Sequence, residues 1–264
     1  MSARRGTYLD RILDHHRGRA ADDSRPLSDL RARVTDLESC RGFAARLRVD
    51  AESSLAVVAE IKRRSPSKGD LFADLDPSVL ARQYEAGGAS CLSVLTDGPH
   101  FGGSVDDLRQ ARSAVGLPVL RKDFTVAERD VFDTRLMGAD CVLLIAAALE
   151  PSQLVDLSGL ALDIGLDVLV EIHDEDELAV AVSAAAPAIG VNQRDLVTFE
   201  VDHARAERMA GIIPDSVVKV AESGVRDSTD AGNLRRAGYD AILVGETLVR
   251  SGDPTAALRS LRVE

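Results

Sequence analysis

From residue 55 onward the chain alternates short β-branched runs with stretches of helical period. That alternation leaves few folds open, because it is the pattern of repeated strand–helix units around a parallel sheet. Eight strands are expected, at Leu55–Lys62, Ser90–Thr96, Pro118–Asp123, Asp140–Ala146, Asp167–Ile172, Ala188–Asn192, Val217–Glu222 and Asp240–Val244. Helix-like segments such as Pro77–Ala86 and Val126–Met137 separate them. Near-continuous apolarity in Cys141–Ile145 and Ala241–Val244 implies strands covered on both faces. Three strands follow a Gly-x-Asp step, at Gly138–Asp140, Gly165–Asp167 and Gly238–Asp240, where glycine supplies the left-handed residue that ends the preceding helix.

Eight such units within residues 55–264 fit an α/β fold of the (β/α)8 TIM-barrel type, for which ~250 residues is typical. An open doubly wound sheet is the competitor. It usually carries a Gly-rich dinucleotide turn after its first strand, and here that place holds Arg63-Arg-Ser-Pro-Ser-Lys-Gly69, neither that fingerprint nor a P-loop. Residues 1–54 precede the first strand. Tyr8, Leu9, Ile12 and Leu13, then Leu27, Leu30, Val34 and Leu37, read as one or two amphipathic helices around a polar turn at Asp22–Pro26. The expected organisation is a helical extension (1–54) packed on a catalytic barrel (55–264), a single domain overall.

The 32 Lys and Arg against 43 Asp and Glu give a net charge of −11, which argues against nucleic-acid or anionic-membrane partners. The longest apolar run, Cys141–Leu149, falls far short of the ~20 residues of a membrane span and reads as a buried element. No secretory signal is evident. The three cysteines lack metal-ligand spacing and suit a reducing cytoplasm.

In a barrel the chemistry sits where the strands end, so the polar residues at the predicted strand ends are the candidates. Strand one closes on Glu60 and Lys62, which share a face. Strand three ends Arg121-Lys122-Asp123, strand five Val170-Glu171, strand six Val191-Asn192 and strand seven Glu222-Ser223-Gly224. The Glu60–Lys62 pair by itself has a plainer reading as solvated rim. Five polar strand ends together at one mouth do not share it, since buried unpaired charges cost several kcal/mol each. The loops at Ser223-Gly224 and Gly245-Glu246 occupy the places where such barrels commonly bind phosphate, so an anionic substrate is expected. Gly245 also fits a plain tight turn, and Arg194 fits either an anion clamp or a surface arginine.

Seven segments in order, Glu60-Ile-Lys62, Ser65-Pro-Ser-Lys-Gly69, Ser93-Val-Leu-Thr96 with Phe101-Gly-Gly-Ser104, Lys122-Asp-Phe124, Val170-Glu-Ile-His173, Asn192-Gln-Arg-Asp-Leu196 and Glu222-Ser-Gly224, resemble the motifs of the indole-3-glycerol phosphate synthase family. Thr125–Arg129 and Asp97-Gly-Pro99 depart from the family's commoner forms. The resemblance implies a (β/α)8 barrel with an N-terminal helical extension. It also implies ring closure, decarboxylation and dehydration of 1-(2-carboxyphenylamino)-1-deoxyribulose 5-phosphate in tryptophan biosynthesis. It places the general acid at Lys122, which a confined site is expected to tune toward neutrality. Glu171, Glu60 and Lys62 form the remaining acid–base set, their individual steps left open. Lys62 and Asn192 are expected to hold carboxylate, hydroxyls or phosphate. Ser65, Arg194, Glu222, Ser223, Gly224 and Gly245 are expected to complete the substrate and anion cradle.

Other features receive plainer readings. Arg121 and Asp123 have the opposite parity to Lys122 and should orient the strand. Asp174 to Glu177 read as the acidic first turn of a helix, a cap that Glu171 could also serve. Phe101 and Phe124 are either ring-flanking or ordinary loop packing. His15 and His16 are expected on a solvated helix face, and His100 and His203 in isolation, so no metal or other cofactor is expected. Ser65 and Ser223 lack a His–acid partner. Two rivals remain: a sister barrel such as phosphoribosylanthranilate isomerase, which looks for Cys at the end of strand one and Asp at the end of strand six, and a non-catalytic phosphometabolite sensor. Contact with other enzymes of the pathway is left open.

Overall fold

A computed structural model describes residues 7–65, 69–72, 74–195 and 197–264. Residues 66–68 of the Ser65–Gly69 motif, and Leu196, lie outside them. The eight barrel strands are β1 (Ala56–Ile61), β2 (Cys91–Leu95), β3 (Val119–Lys122), β4 (Cys141–Ile145), β5 (Asp167–Ile172), β6 (Ala188–Asn192), β7 (Val218–Glu222) and β8 (Ala241–Val244). Every strand is parallel to the next, and β8 returns to β1 through Ala56 opposite Ala241, closing the barrel. The expected strands are all present, each boundary within one residue, and the (β/α)8 fold class stands. The Cys141–Leu149 run becomes β4 and a 3-10 turn at Ala146–Ala148.

The Gly-x-Asp steps explain part of that regularity. Gly138 and Gly238 end their helices at φ 92° and 100°, a region closed to most side chains. The aspartates then tie the strand starts together. Asp140 Oδ2 accepts from the Val119 amide and Asp240 Oδ2 from the Lys219 amide, both at 2.8 Å, while Asp167 Oδ2 accepts from the Ala44 amide at 2.9 Å. These contacts lie at the amino-terminal end of the barrel, where they fix strand register rather than chemistry.

Among the described residues three helices precede β1, not one or two: α1 (Tyr8–Asp22), α2 (Leu27–Thr35) and α3 (Phe43–Ala51). The third escaped the periodicity because its apolar residues Phe43, Ala44, Leu47 and Ala51 stand among arginines, and it starts after Gly42 at φ 72° without a side-chain cap. Phe43 and Leu47 are fully buried, and the Phe43 carbonyl lies 3.7 Å from Cys91 Sγ, so α3 closes the amino-terminal end of the barrel. The first helix does the reverse. His16 reaches Asp97 just beyond β2, and Arg17 donates to the Ala148 carbonyl beyond β4 at 2.9 Å, which sets α1 across the carboxyl-terminal mouth. Among the described residues, no helix is long and apolar enough to cross a membrane.

Candidate active site

A cavity of about 550 Å³ opens at the carboxyl-terminal ends of the strands. All eleven residues named from the sequence as catalytic or substrate-binding line it: Glu60, Lys62, Ser65, Lys122, Glu171, Asn192, Arg194, Glu222, Ser223, Gly224 and Gly245. Phe101 and Phe124 line it too, their ring centroids 6.2 Å apart.

Lys122, the last residue of β3, lines the cavity together with the Glu60, Glu171 and Glu222 carboxylates. The ammonium lies 2.6 Å from Glu171 Oε2 on β5 and 3.1 Å from Glu222 Oε2 on β7. Alternation along a strand points Lys122 inward and Arg121 outward. Arg121 accordingly donates to the Asp130 carbonyl, Thr134 and Asp123 on the helix side, as its parity predicts. Asp123 departs partly from its expected place, because it also reaches the cavity wall as the chain turns.

Burial pulls the Lys122 ammonium toward neutrality, but the Glu171, Glu222 and Glu60 carboxylates outweigh it and hold its pKa well above the ordinary lysine value. This reverses the expected tuning: the lysine stands as a full cation. The two flanking acids diverge. Burial raises both, yet Glu171 is brought low by Lys122, His173 and the Asn192 amide, which donates to its Oε1 at 2.9 Å. Glu222 has no such second donor, and its Oε1 has no hydrogen-bond partner among the described residues. Burial, with Glu171 and Glu60 adding to it, pushes Glu222 up to about 7 against the pull of Lys122. One ionised carboxyl and one poised near neutrality, beside an ammonium, are able to give and take a proton.

Two glycines make room for these carboxylates. A Cβ on Gly190 would stand 2.0 Å from Glu222 Oε1, and one on Gly245 would stand 2.5 Å from Glu60 Oε1. Glu60 receives Lys62 Nζ at 2.5 Å. Gly245 therefore has a steric duty that the phosphate reading did not anticipate.

On the far side, Ser223 and Gly224 adopt φ 64° and 79° in succession. The non-glycine Ser223 holds that strained backbone because Gln193 Nε2 donates to its carbonyl at 2.7 Å. Thr247 Oγ1 donates to the Val225 carbonyl at 2.6 Å and binds the loops after β7 and β8 together. Arg194 donates to the Phe199 carbonyl at 2.9 Å while lining the cavity. Ser65 is buried with an unpartnered Oγ among the described residues.

The helix after β5 is capped by Asp174, whose Oδ1 accepts from the Glu177 amide at 2.9 Å, so Glu171 is spared that duty. Arg226, Thr247 and Arg250 line the cavity without having been singled out. Their nearness to Gly224 and Gly245 in the chain was the available signal.

The histidine readings need correction. His15 is exposed, but His16, one residue on, is 2% exposed and bonded to Asp97 at 2.9 Å. His100 also bonds Asp97, through Nδ1 at 3.0 Å, and His203 lines the cavity. A one-residue step rotates a helical side chain by 100°, which buries one neighbour and leaves the other exposed.

Eight converging strand ends with two lysines among three glutamates define a (β/α)8-barrel enzyme of the acid–base kind. The family model for indole-3-glycerol phosphate synthase matches residues 9–261, and the chain belongs to that family. Relatives with that name include one from Chlorobium phaeovibrioides, 46% identical over 96% of this chain and 97% of its own. Another, from Rhodopirellula baltica, is 45% identical over 97% and 98%. Among solved structures, 3-hexulose-6-phosphate synthase from Salmonella typhimurium superposes with a TM-score of 0.62 over 78% of this chain and 96% of that one. At 13% identity that likeness is one of fold alone.

Proposed function

We propose that this chain converts 1-(2-carboxyphenylamino)-1-deoxyribulose 5-phosphate to indole-3-glycerol phosphate, with Lys122 as the general acid. The observation that carries the assignment is the Lys122 ammonium in the cavity lining, held 2.6 Å from Glu171 and 3.1 Å from Glu222. Ring closure joins the carboxylate-bearing aromatic carbon to the sugar ketone, and the ketone oxygen must take a proton as the bond forms. A fixed ammonium facing the cavity supplies it. Loss of CO2 restores the aromatic ring. The new hydroxyl then leaves as water while the five-membered ring gives up a proton, a step that needs an acid and a base together. Glu171, Glu60 and Lys62 are the groups assigned to it, with Asn192 orienting Glu171.

The anion cradle assigned to the substrate phosphate comprises Ser65, Arg194, Ser223, Gly224 and Gly245, with Lys62 and Glu222 facing the remaining polar groups. The isomerase reading is not favoured, because β1 carries Glu60 where it looks for Cys and β6 ends in Asn192 where it looks for Asp.

The test is to add the substrate and follow indole fluorescence together with CO2 release. Turnover is expected, and Lys122→Ala should slow it at least ~10²-fold, the low end of general acid–base contributions. Folded protein without turnover would overturn the activity. Turnover little changed in Lys122→Ala would overturn the choice of acid.

A further inference from the structure

Beside the cavity, three metal-type donors from separate parts of the chain converge. His16 comes from α1, Asp97 follows β2, and His100 lies on the short helical turn Gly98–Phe101. His16 Nε2 is 2.9 Å and His100 Nδ1 3.0 Å from the same carboxylate oxygen, Asp97 Oδ2, and all three ligand atoms lie within 4.8 Å of one another. His16 and Asp97 are each 2% exposed, so the cluster is shut off from bulk water on one side and open at His100.

Two imidazole nitrogens directed at one carboxylate oxygen set three donor atoms around a point that a shared cation can occupy in place of ring protons. Zinc bonds of ~2.0–2.2 Å place tetrahedral ligand atoms roughly 3.3 Å apart. The two short edges here need to open by only a few tenths of an ångström, within side-chain rotation. Two nitrogens and one oxygen form a borderline donor set that suits zinc and its neighbours and excludes the oxygen-loving magnesium and calcium. A second carboxylate adds to the field: Asp123 Oδ1 is 3.8 Å from His16 Nε2.

We infer that His16, Asp97 and His100 form a binding site for a divalent transition-metal ion of the zinc class. Water completes the shell from the side left open at His100. The ion clamps α1 to the loop after β2. That clamp closes against the cavity wall, since the His16 ring lies 5.4 Å from that of Phe124.

The site stands apart from the catalytic reading and is tested without it. Chelator-stripped full-length protein is titrated with Co(II) and then Zn(II). One equivalent of Co(II) should bind with the visible absorption of a low-coordinate nitrogen and oxygen site, Zn(II) should displace it, and Zn(II) should raise the melting temperature. His16→Gln and His100→Gln should each weaken binding at least ~10-fold, given that even supporting residues cost ~10–100-fold. His100 is only half-buried and sits on a turn, so His100→Gln decides the matter should His16→Gln fail to fold. Absence of a Co(II) spectrum and of a melting shift overturns the site, as does unchanged affinity in folded His100→Gln. Either result leaves Asp97 as a hydrogen-bonded clamp alone.

Discussion

Gly190→Ala separates the catalytic geometry from the fold. Gly190 sits in β6 between Glu171 on β5 and Val220 on β7, and it is not among the glycines at positive φ, so alanine meets no backbone strain. What the methyl meets is Glu222: its Cβ would lie 2.0 Å from Oε1, 3.1 Å from the carboxyl carbon and 3.4 Å from Leu169 Cδ1. An ordinary carbon–oxygen contact of ~3.3 Å requires the carboxylate to retreat by about 1.3 Å. Glu222 is 1% exposed, so the retreat stays inside the barrel and draws Oε2 away from Lys122, now 3.1 Å distant. Overpacking costs ~1–3 kcal/mol, part of it offset by the lower chain entropy of unfolded alanine, ~0.4–1 kcal/mol. A net loss of about 1–2 kcal/mol leaves a domain of ordinary stability folded. Catalysis should suffer more, because a displacement of ~1 Å costs roughly 10²-fold. The assay pairs a thermal melt followed by circular dichroism with kcat/KM from indole fluorescence. A folded variant whose kcat/KM stays within about threefold of wild type would refute the reasoning, since the position of Glu222 would then be immaterial.

Further expectations concern the charges. The folded-state pKa of Glu222, about 7, exceeds its ordinary 4.5, so between those values the native state binds the extra proton and this group's contribution to stability falls as pH rises. Urea denaturation of Glu222→Gln and wild type near pH 5 and pH 8 should show the variant gaining relative stability at the higher pH. An identical difference at both would mean that Glu222 ionises like an exposed acid. Arg121 is 2% exposed and pairs with buried Asp123 at 2.8 Å. Arg121→Met leaves that carboxylate short of its cation and should cost about 3–5 kcal/mol in urea denaturation, against a loss below ~1 kcal/mol if the pair behaved as a surface salt bridge.

Strand positions were legible to within a residue because β-branched runs and Gly-x-Asp steps are local signals, and eight of them admit few architectures. Lys122, Glu171 and Glu222 were legible as strand-end residues because alternation fixes which side chains face the interior. The third N-terminal helix was hidden by its arginines. The His16 contact was hidden for a different reason, since its partner Asp97 lies 81 positions away in the chain.

By itself the sequence determined the order of strands and helices, the inward parity of the polar strand ends and the family to which the motifs belong, all properties of neighbouring residues. Only the tertiary structure decided the charge states. Lys122 is held cationic, Glu171 ionised and Glu222 on the verge of protonation by Coulomb and desolvation effects that depend on distance and burial across four strands. No stretch of chain carries those distances; barrel closure creates them.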